Sequence, residues 1–185
     1  EKEITKLIQL AKDGFVDIAV VGNEVLYRKD LTMSELLEYI DRVKREIPGI
    51  EVGYVDAYYE FAKRPRITEA CDVILANCYP YWEGCHSDYS LLYMKQMYYQ
   101  AKQAAPDKKV IITETGWPSA GDSLGAAEPG YENALKYFIN VQSWSQKEEV
   151  EMFYFSAFDE AWKVGAEGSV GAFWGLWDHT GKRKF

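Results

Sequence analysis

The sequence predicts an α/β fold with about five parallel strands and flanking helices, and favours a barrel over a doubly wound sheet. Two observations predict it. Short apolar runs alternate strictly with segments of helical periodicity up to about residue 157, the signature of βαβ units with right-handed crossovers. Polar and charged residues then cluster where the runs end: Asn23-Glu24, Asp56, Asn77, Glu114 and Asp159-Glu160. Functional groups gather at those strand ends in a barrel. The rival nucleotide-binding sheet would carry a glycine-rich phosphate loop after a strand, and no such loop is present.

Each element has a local reason. Residues 1–13 read as a helix with Ile4, Leu7, Ile8 and Ala11 on one face, ended by Gly14. Residues 17–24 are an apolar run taken as a strand buried on both faces. Residues 32–46 form a helix: Thr32 caps it, Glu35 completes a capping box, and Leu36, Leu37, Ile40, Val43 and Ile47 make the stripe. Pro48-Gly49 turns the chain into a strand at 51–57. Residues 65–70 are at most a short helix. Strands follow at 72–78 and 109–114, separated by a helix from Ser87 or Asp88 to about Ala104. A loop rich in Gly, Ser and Pro spans 116–129, a helix 130–146 and a strand 152–157, before an irregular tail in which Lys182-Arg183-Lys184 reads as solvated. One domain over residues 1–185 is the simplest parse.

Composition narrows the function. The formal net charge of −8 argues against nucleic acid, which demands a basic stripe. No apolar run approaches the 18 or more residues of a membrane span, so insertion of this segment is not expected. Core and surface packing accounts for most of the 14 Tyr and 6 Trp; the remainder invites a sugar ligand, whose apolar faces stack on rings, and the charge suits a neutral ligand. Cys71, Cys78 and Cys85 lack a short-spaced zinc pattern, so neither metal nor cofactor is expected. A Cys78–Cys85 disulfide stays open beside free buried thiols.

Two carboxylates stand out. Glu24 ends Val20-Val21-Gly22-Asn23-Glu24, and Glu114 lies in Ile111-Ile112-Thr113-Glu114-Thr115-Gly116-Trp117-Pro118. Two carboxylates at the ends of two strands suggest the acid and nucleophile of a glycoside hydrolase, and retention needs them about 5–5.5 Å apart. Three strand spacings in an open sheet would put such tips roughly 14 Å apart. The chemistry therefore asks for a closed or sharply curved sheet.

These motifs, with Asn77-Cys78-Tyr79-Pro80-Tyr81, Phe158-Asp159-Glu160-Ala161-Trp162-Lys163, Glu167 and Trp174-Gly175-Leu176-Trp177, resemble glycoside hydrolase family 17 in content and order. The resemblance implies a retaining barrel acting on β-1,3-glucan, by hydrolysis or transglycosylation. It implies Glu24 as acid/base, Glu114 as nucleophile, Asn23 on the sugar 2-hydroxyl and Tyr79 on the nucleophile. Glu160, Lys163 and Glu167 would form a polar cluster behind the pair, with Tyr81, Trp117 and Trp162 as sugar platforms. Trp174 and Trp177 read as core. The Asn-Glu motif would mark the fourth barrel strand, so this chain would carry strands 4–8. Its open edges would invite a homodimer or a further segment. An extracellular, cell-wall or periplasmic setting is implied by family alone. The competing reading is a glucan-binding remnant without turnover.

Overall fold

The computed structural model describes residues 1–185. In chain order the elements are α1 (Lys2–Lys12), β1 (Ile18–Asn23), α2 (Met33–Glu46), β2 (Glu51–Ala57), α3 (Tyr58–Lys63), α4 (Pro65–Ala70), β3 (Val73–Asn77), α5 (Ser90–Ala104), β4 (Lys109–Thr115), α6 (Tyr131–Lys147), β5 (Met152–Tyr154) and α7 (Val164–Glu167). Short 3-10 turns occupy Ser87–Tyr89, Ala161–Lys163 and Gly168–Ala172. The strands form one sheet in sequence order, β1-β2-β3-β4-β5, with parallel pairing in β1/β2, β2/β3 and β4/β5. The chain divides into two compact units, Glu1–Asn77 with Met97–Ile111, and Cys78–Gln96 with Ile112–Phe185.

In the first unit, α2 begins as its sequence dictates. The Thr32 hydroxyl accepts from the Glu35 amide, and the Glu35 carboxylate accepts from the Thr32 amide at 2.8 Å. The apolar stripe buries Leu36, Ile40, Val43 and Ile47. Val55, Val73, Leu75 and Ile111 form a core cluster, with Ile18 packed against it. Lys108 closes the C-terminal end of α4, its ammonium donating to the carbonyls of Thr68, Glu69 and Cys71 at 2.6, 2.9 and 2.5 Å. A cation is well placed against the negative end of a helix.

Two expectations change here. Residues 58–63, given no element from sequence, form α3, which buries Tyr58, Glu60 and Phe61. Glu60 is buried in an ion pair with Arg64, and that pairing lets a charged residue sit on an inward face. Strand β1 is not covered on both faces either. Ala19 and Val21 are buried but Val20 is 41% exposed, because β1 is an edge strand paired only with β2.

In the second unit the core is aromatic. Tyr81 meets Trp117 and Trp174 edge to face, each with ring centres 5.6 Å apart. Tyr137 on α6 shares a 2.6 Å hydroxyl hydrogen bond with Thr115. Trp174 is 3% exposed, a core residue as its sequence setting suggested. The C-terminal tail departs from expectation. The Lys184 ammonium donates to Asp159 Oδ1 and Ser119 Oγ, both at 2.7 Å. The Lys184 and Asp159 side chains are only 14% and 9% exposed. A run of three basic residues gave no sign that its last member folds inward. The three cysteines are free thiols, so the Cys78–Cys85 bridge is absent. Burial pushes the Cys78 thiol up, as it does the Cys71 thiol in the first unit, to about 11. Buried thiols in that state are poor nucleophiles.

Candidate active site

In the first unit, the end of β1 is shaped to present Glu24. The β1/β2 register shifts between Val20 and Asn23, a bulge of the kind that re-aims side chains at strand ends. Gly22 has φ +86°, a value glycine adopts at no steric cost. Glu24 itself has φ +55°. That backbone is unfavourable for a side chain of this size and persists only where its surroundings fix it. Here the Glu24 amide donates to the Val55 carbonyl at 2.8 Å, and its carbonyl accepts from the Arg28 amide at 2.8 Å.

The carboxyl is held as firmly. Asn77, at the end of β3, donates to Glu24 Oε1 at 2.9 Å and to Asn23 Oδ1 at 3.4 Å. Arg28 lies 3.6 Å from Glu24 Oε2 and donates to the Asn23 carbonyl at 2.5 Å. The motifs thus bring Asn23 and Glu24 together and add Asn77 and Arg28, which sequence reasoning had not assigned. A polar Asn ending the wholly buried β3 was the available signal for Asn77. Nothing marked Arg28.

In the second unit, Glu114 lies one residue before the end of β4. The Tyr79 hydroxyl donates to Glu114 Oε2 at 2.9 Å. Tyr79 packs edge-on against Trp174 at 5.4 Å and Phe155 at 6.2 Å. The Lys163 ammonium sits 4.0 Å above the Phe155 ring and 2.6 Å from Glu160 Oε2. Glu114, Tyr79, Lys163 and Glu160 are therefore linked through one aromatic cluster. Glu167 is partly buried at the end of α7.

The aromatic candidates separate by exposure. Trp162 is 75% exposed, whereas Tyr81 and Trp117 are each 1% exposed. Trp117 donates from Nε1 to the Glu128 carbonyl at 3.0 Å, and the Tyr81 hydroxyl donates to the Asp122 carbonyl at 2.6 Å. Both rings are thus locked into the wall of the unit. No group of three or more His, Cys, Asp or Glu side chains is arranged to hold a metal ion.

Gly116, two residues after Glu114, permits a close approach. A Cβ there would lie 2.1 Å from the Phe155 carbonyl oxygen and 3.2 Å from Trp174. The obstacle is backbone, so relief requires β4 or the Phe155 segment to move. Gly116→Ala is expected to lower stability by about 3 kcal/mol, the upper range for overpacking. Chemical denaturation checks this, and an unchanged midpoint would refute the close-packing argument.

The chain is similar to known proteins over nearly its whole length. The BtgE/BtgC glycoside hydrolase domain matches residues 1–175. A glucan 1,3-beta-glucosidase of Candida albicans is 33% identical over 92% of this chain and 62% of its own length. One from Saccharomyces cerevisiae is 27% identical over 94% of this chain and 62% of its own length. The chain thus spans about three-fifths of these curated relatives (62%). The glycoside hydrolase family 17 beta-1,3-glucanosyltransferase of Rhizomucor miehei superposes with a TM-score of 0.89 at 33% identity, covering 98% of this chain and 68% of that one. No helix is long and apolar enough to cross a membrane. The five parallel strands and their helices are the partial (β/α)8 barrel that the sequence predicts, and the chain belongs to glycoside hydrolase family 17.

Proposed function

We propose that this chain is a single catalytic domain that cleaves β-1,3-glucan with retention, with Glu24 as general acid/base and Glu114 as nucleophile. The observation that carries the reading is the unequal way the two carboxyls are held. Glu114 accepts a 2.9 Å hydrogen bond from the Tyr79 hydroxyl, a contact that favours the ionised form an attacking group needs. Glu24 is fixed by a strained backbone, by the Asn77 amide at 2.9 Å and by the half-exposed Arg28 at 3.6 Å, a fixed geometry that suits a group which must both give and take a proton.

In this scheme Glu24 protonates the leaving oxygen while Glu114 attacks the anomeric carbon, forming a covalent glycosyl-enzyme. Glu24 then deprotonates the acceptor that releases the sugar. Asn23 is assigned to the sugar 2-hydroxyl, where a hydrogen bond strengthens in the transition state. Glu160, Lys163 and Glu167 set the field behind Glu114, and exposed Trp162 offers its ring to a sugar face. Tyr81 and Trp117 act from beneath by holding the wall.

The acceptor is water or another sugar. The 33%-identical neighbour is a glucanosyltransferase, and an active-site mutant of it was solved with laminaritriose. Incubation with laminaripentaose decides. Products longer than the substrate show transfer, and only shorter ones show hydrolysis. First-formed products must carry the β anomer by proton NMR. An initial α anomer, or no turnover with glucan affinity unchanged in Glu114→Gln, would sink the reading.

A further inference from the structure

Asp56 has no part in the scheme above, yet it lies beside Glu24. It lies one residue before the end of β2 with 0% exposure, and a carboxyl taken from water must be satisfied by hydrogen bonds. The Tyr54 hydroxyl donates to Oδ2 and the Ala57 amide to Oδ1 at 2.8 Å. The Tyr27 amide donates as well. Tyr54 is itself buried, and its oxygen accepts from the Leu26 amide at 3.0 Å. Burial raises the Asp56 pKa from its ordinary value, and the nearby Glu24 charge adds to the effect.

The two amides captured by this network belong to the turn that begins at Glu24. Its backbone bonds run from the Arg28 amide to the Glu24 carbonyl and from the Asp30 amide to the Val25 carbonyl, both 2.8 Å. A residue with φ +55° needs such over-determination. Arg28 adds support from the outside, 3.6 Å from Glu24 Oε2 and donating to the Asn23 carbonyl at 2.5 Å, but its side chain is half exposed and shared with Asp30.

We infer that Asp56, with Tyr54, is the positioning residue for Glu24: the pair fixes the Leu26 and Tyr27 amides, locks the turn and holds Glu24 in its left-handed conformation. The inference rests on Glu24 being the acid/base. A positioning residue of this kind leaves a kinetic mark that general destabilisation does not. Proton donation matters for a poor leaving group and hardly at all for an activated one. Loss of positioning should therefore be selective.

The test compares kcat/KM for phenyl and 2,4-dinitrophenyl β-laminaribioside, in the full chain and in Asp56→Asn, Tyr54→Phe and Glu24→Ala. Both positioning variants are expected to lose roughly 10²-fold on the phenyl glycoside, the cost of misplacing a reacting group by about 1 Å. On the dinitrophenyl glycoside they should stay within about threefold, since general acid catalysis is not required there. Should Asp56→Asn fail to fold, Tyr54→Phe, which keeps the ring and its packing, carries the test. Equal losses on both substrates, or no loss on either, would overturn the inference while a selective Glu24→Ala leaves the acid/base assignment standing. A Glu24→Ala variant that is not selective would instead overturn that assignment, and the inference with it.

Discussion

Glu114→Ala is expected to lower turnover of laminari-oligosaccharides by roughly 10⁴-fold or more, the scale seen when an enzyme loses its nucleophile. The informative measurement is what azide then does. With 2,4-dinitrophenyl β-laminaribioside and the nucleophile gone, azide can enter the face of the sugar that Glu114 would have attacked. It displaces dinitrophenolate once and yields the α-glycosyl azide. In Glu24→Ala the covalent intermediate still forms, because the activated leaving group departs without a proton. Azide then intercepts that intermediate and yields the β-glycosyl azide. The two variants should give products of opposite configuration. The same configuration from both would sink the assignment of roles. The hydrogen bond from Tyr79 to Glu114 Oε2 at 2.9 Å gives a subsidiary expectation. Tyr79→Phe should leave the configuration unchanged and lower the rate by a smaller factor, about 10-fold for one lost hydrogen bond to a charged group.

The parts of this molecule legible in its sequence are those governed by local rules. The Thr32–Glu35 capping box and the Leu36, Ile40, Val43 stripe formed as their spacing demanded. The alternation of apolar runs with helical segments translated into a parallel sheet in sequence order. The positions of Glu24 and Glu114 beside the ends of β1 and β4 could be read because each closes an apolar run. What was hidden depended on partners remote in sequence. Lys184 looks solvated until its chain folds back onto Asp159. Asp56 was noticed as a polar strand end, yet its purpose emerges only with Tyr54 and the Leu26 amide beside it. The single-faced burial of β1 depends on its place at the edge of the sheet, which an apolar run cannot announce. Tyr81 and Trp117 carried the composition of sugar platforms, but a ring's use depends on which of its faces remains open, and both are 1% exposed.

The Lys184–Asp159 pair should be a costly contact to break. Asp159 Oδ1 accepts from the Lys184 ammonium at 2.7 Å and from the Gly175 amide at 2.9 Å. Lys184 also donates to Ser119 Oγ, on the segment that follows Glu114-Thr115-Gly116-Trp117-Pro118. Exposed ion pairs contribute little, about 0–1 kcal/mol, and the pairs of α1 and α2 at the surface belong to that class. This one differs, because both side chains are largely removed from water. Lys184→Met keeps most of the aliphatic stem but strands the Asp159 carboxylate with an amide as its remaining partner, and breaking a buried pair in this way costs about 3–5 kcal/mol. For a chain of this size the melting temperature should fall by roughly 10 °C. Asp159→Asn tests the same contact from the other side, since the amide oxygen can still accept from Gly175. The double variant should fall well short of the sum of the two losses, because each single change already removes the shared interaction. Strict additivity, or a Lys184→Met loss below about 1 kcal/mol, would place Lys184 with the ordinary surface pairs. The expected outcome instead makes the segment around Lys184 a structural strap, anchored to Asp159 and to Ser119 in the loop beyond β4.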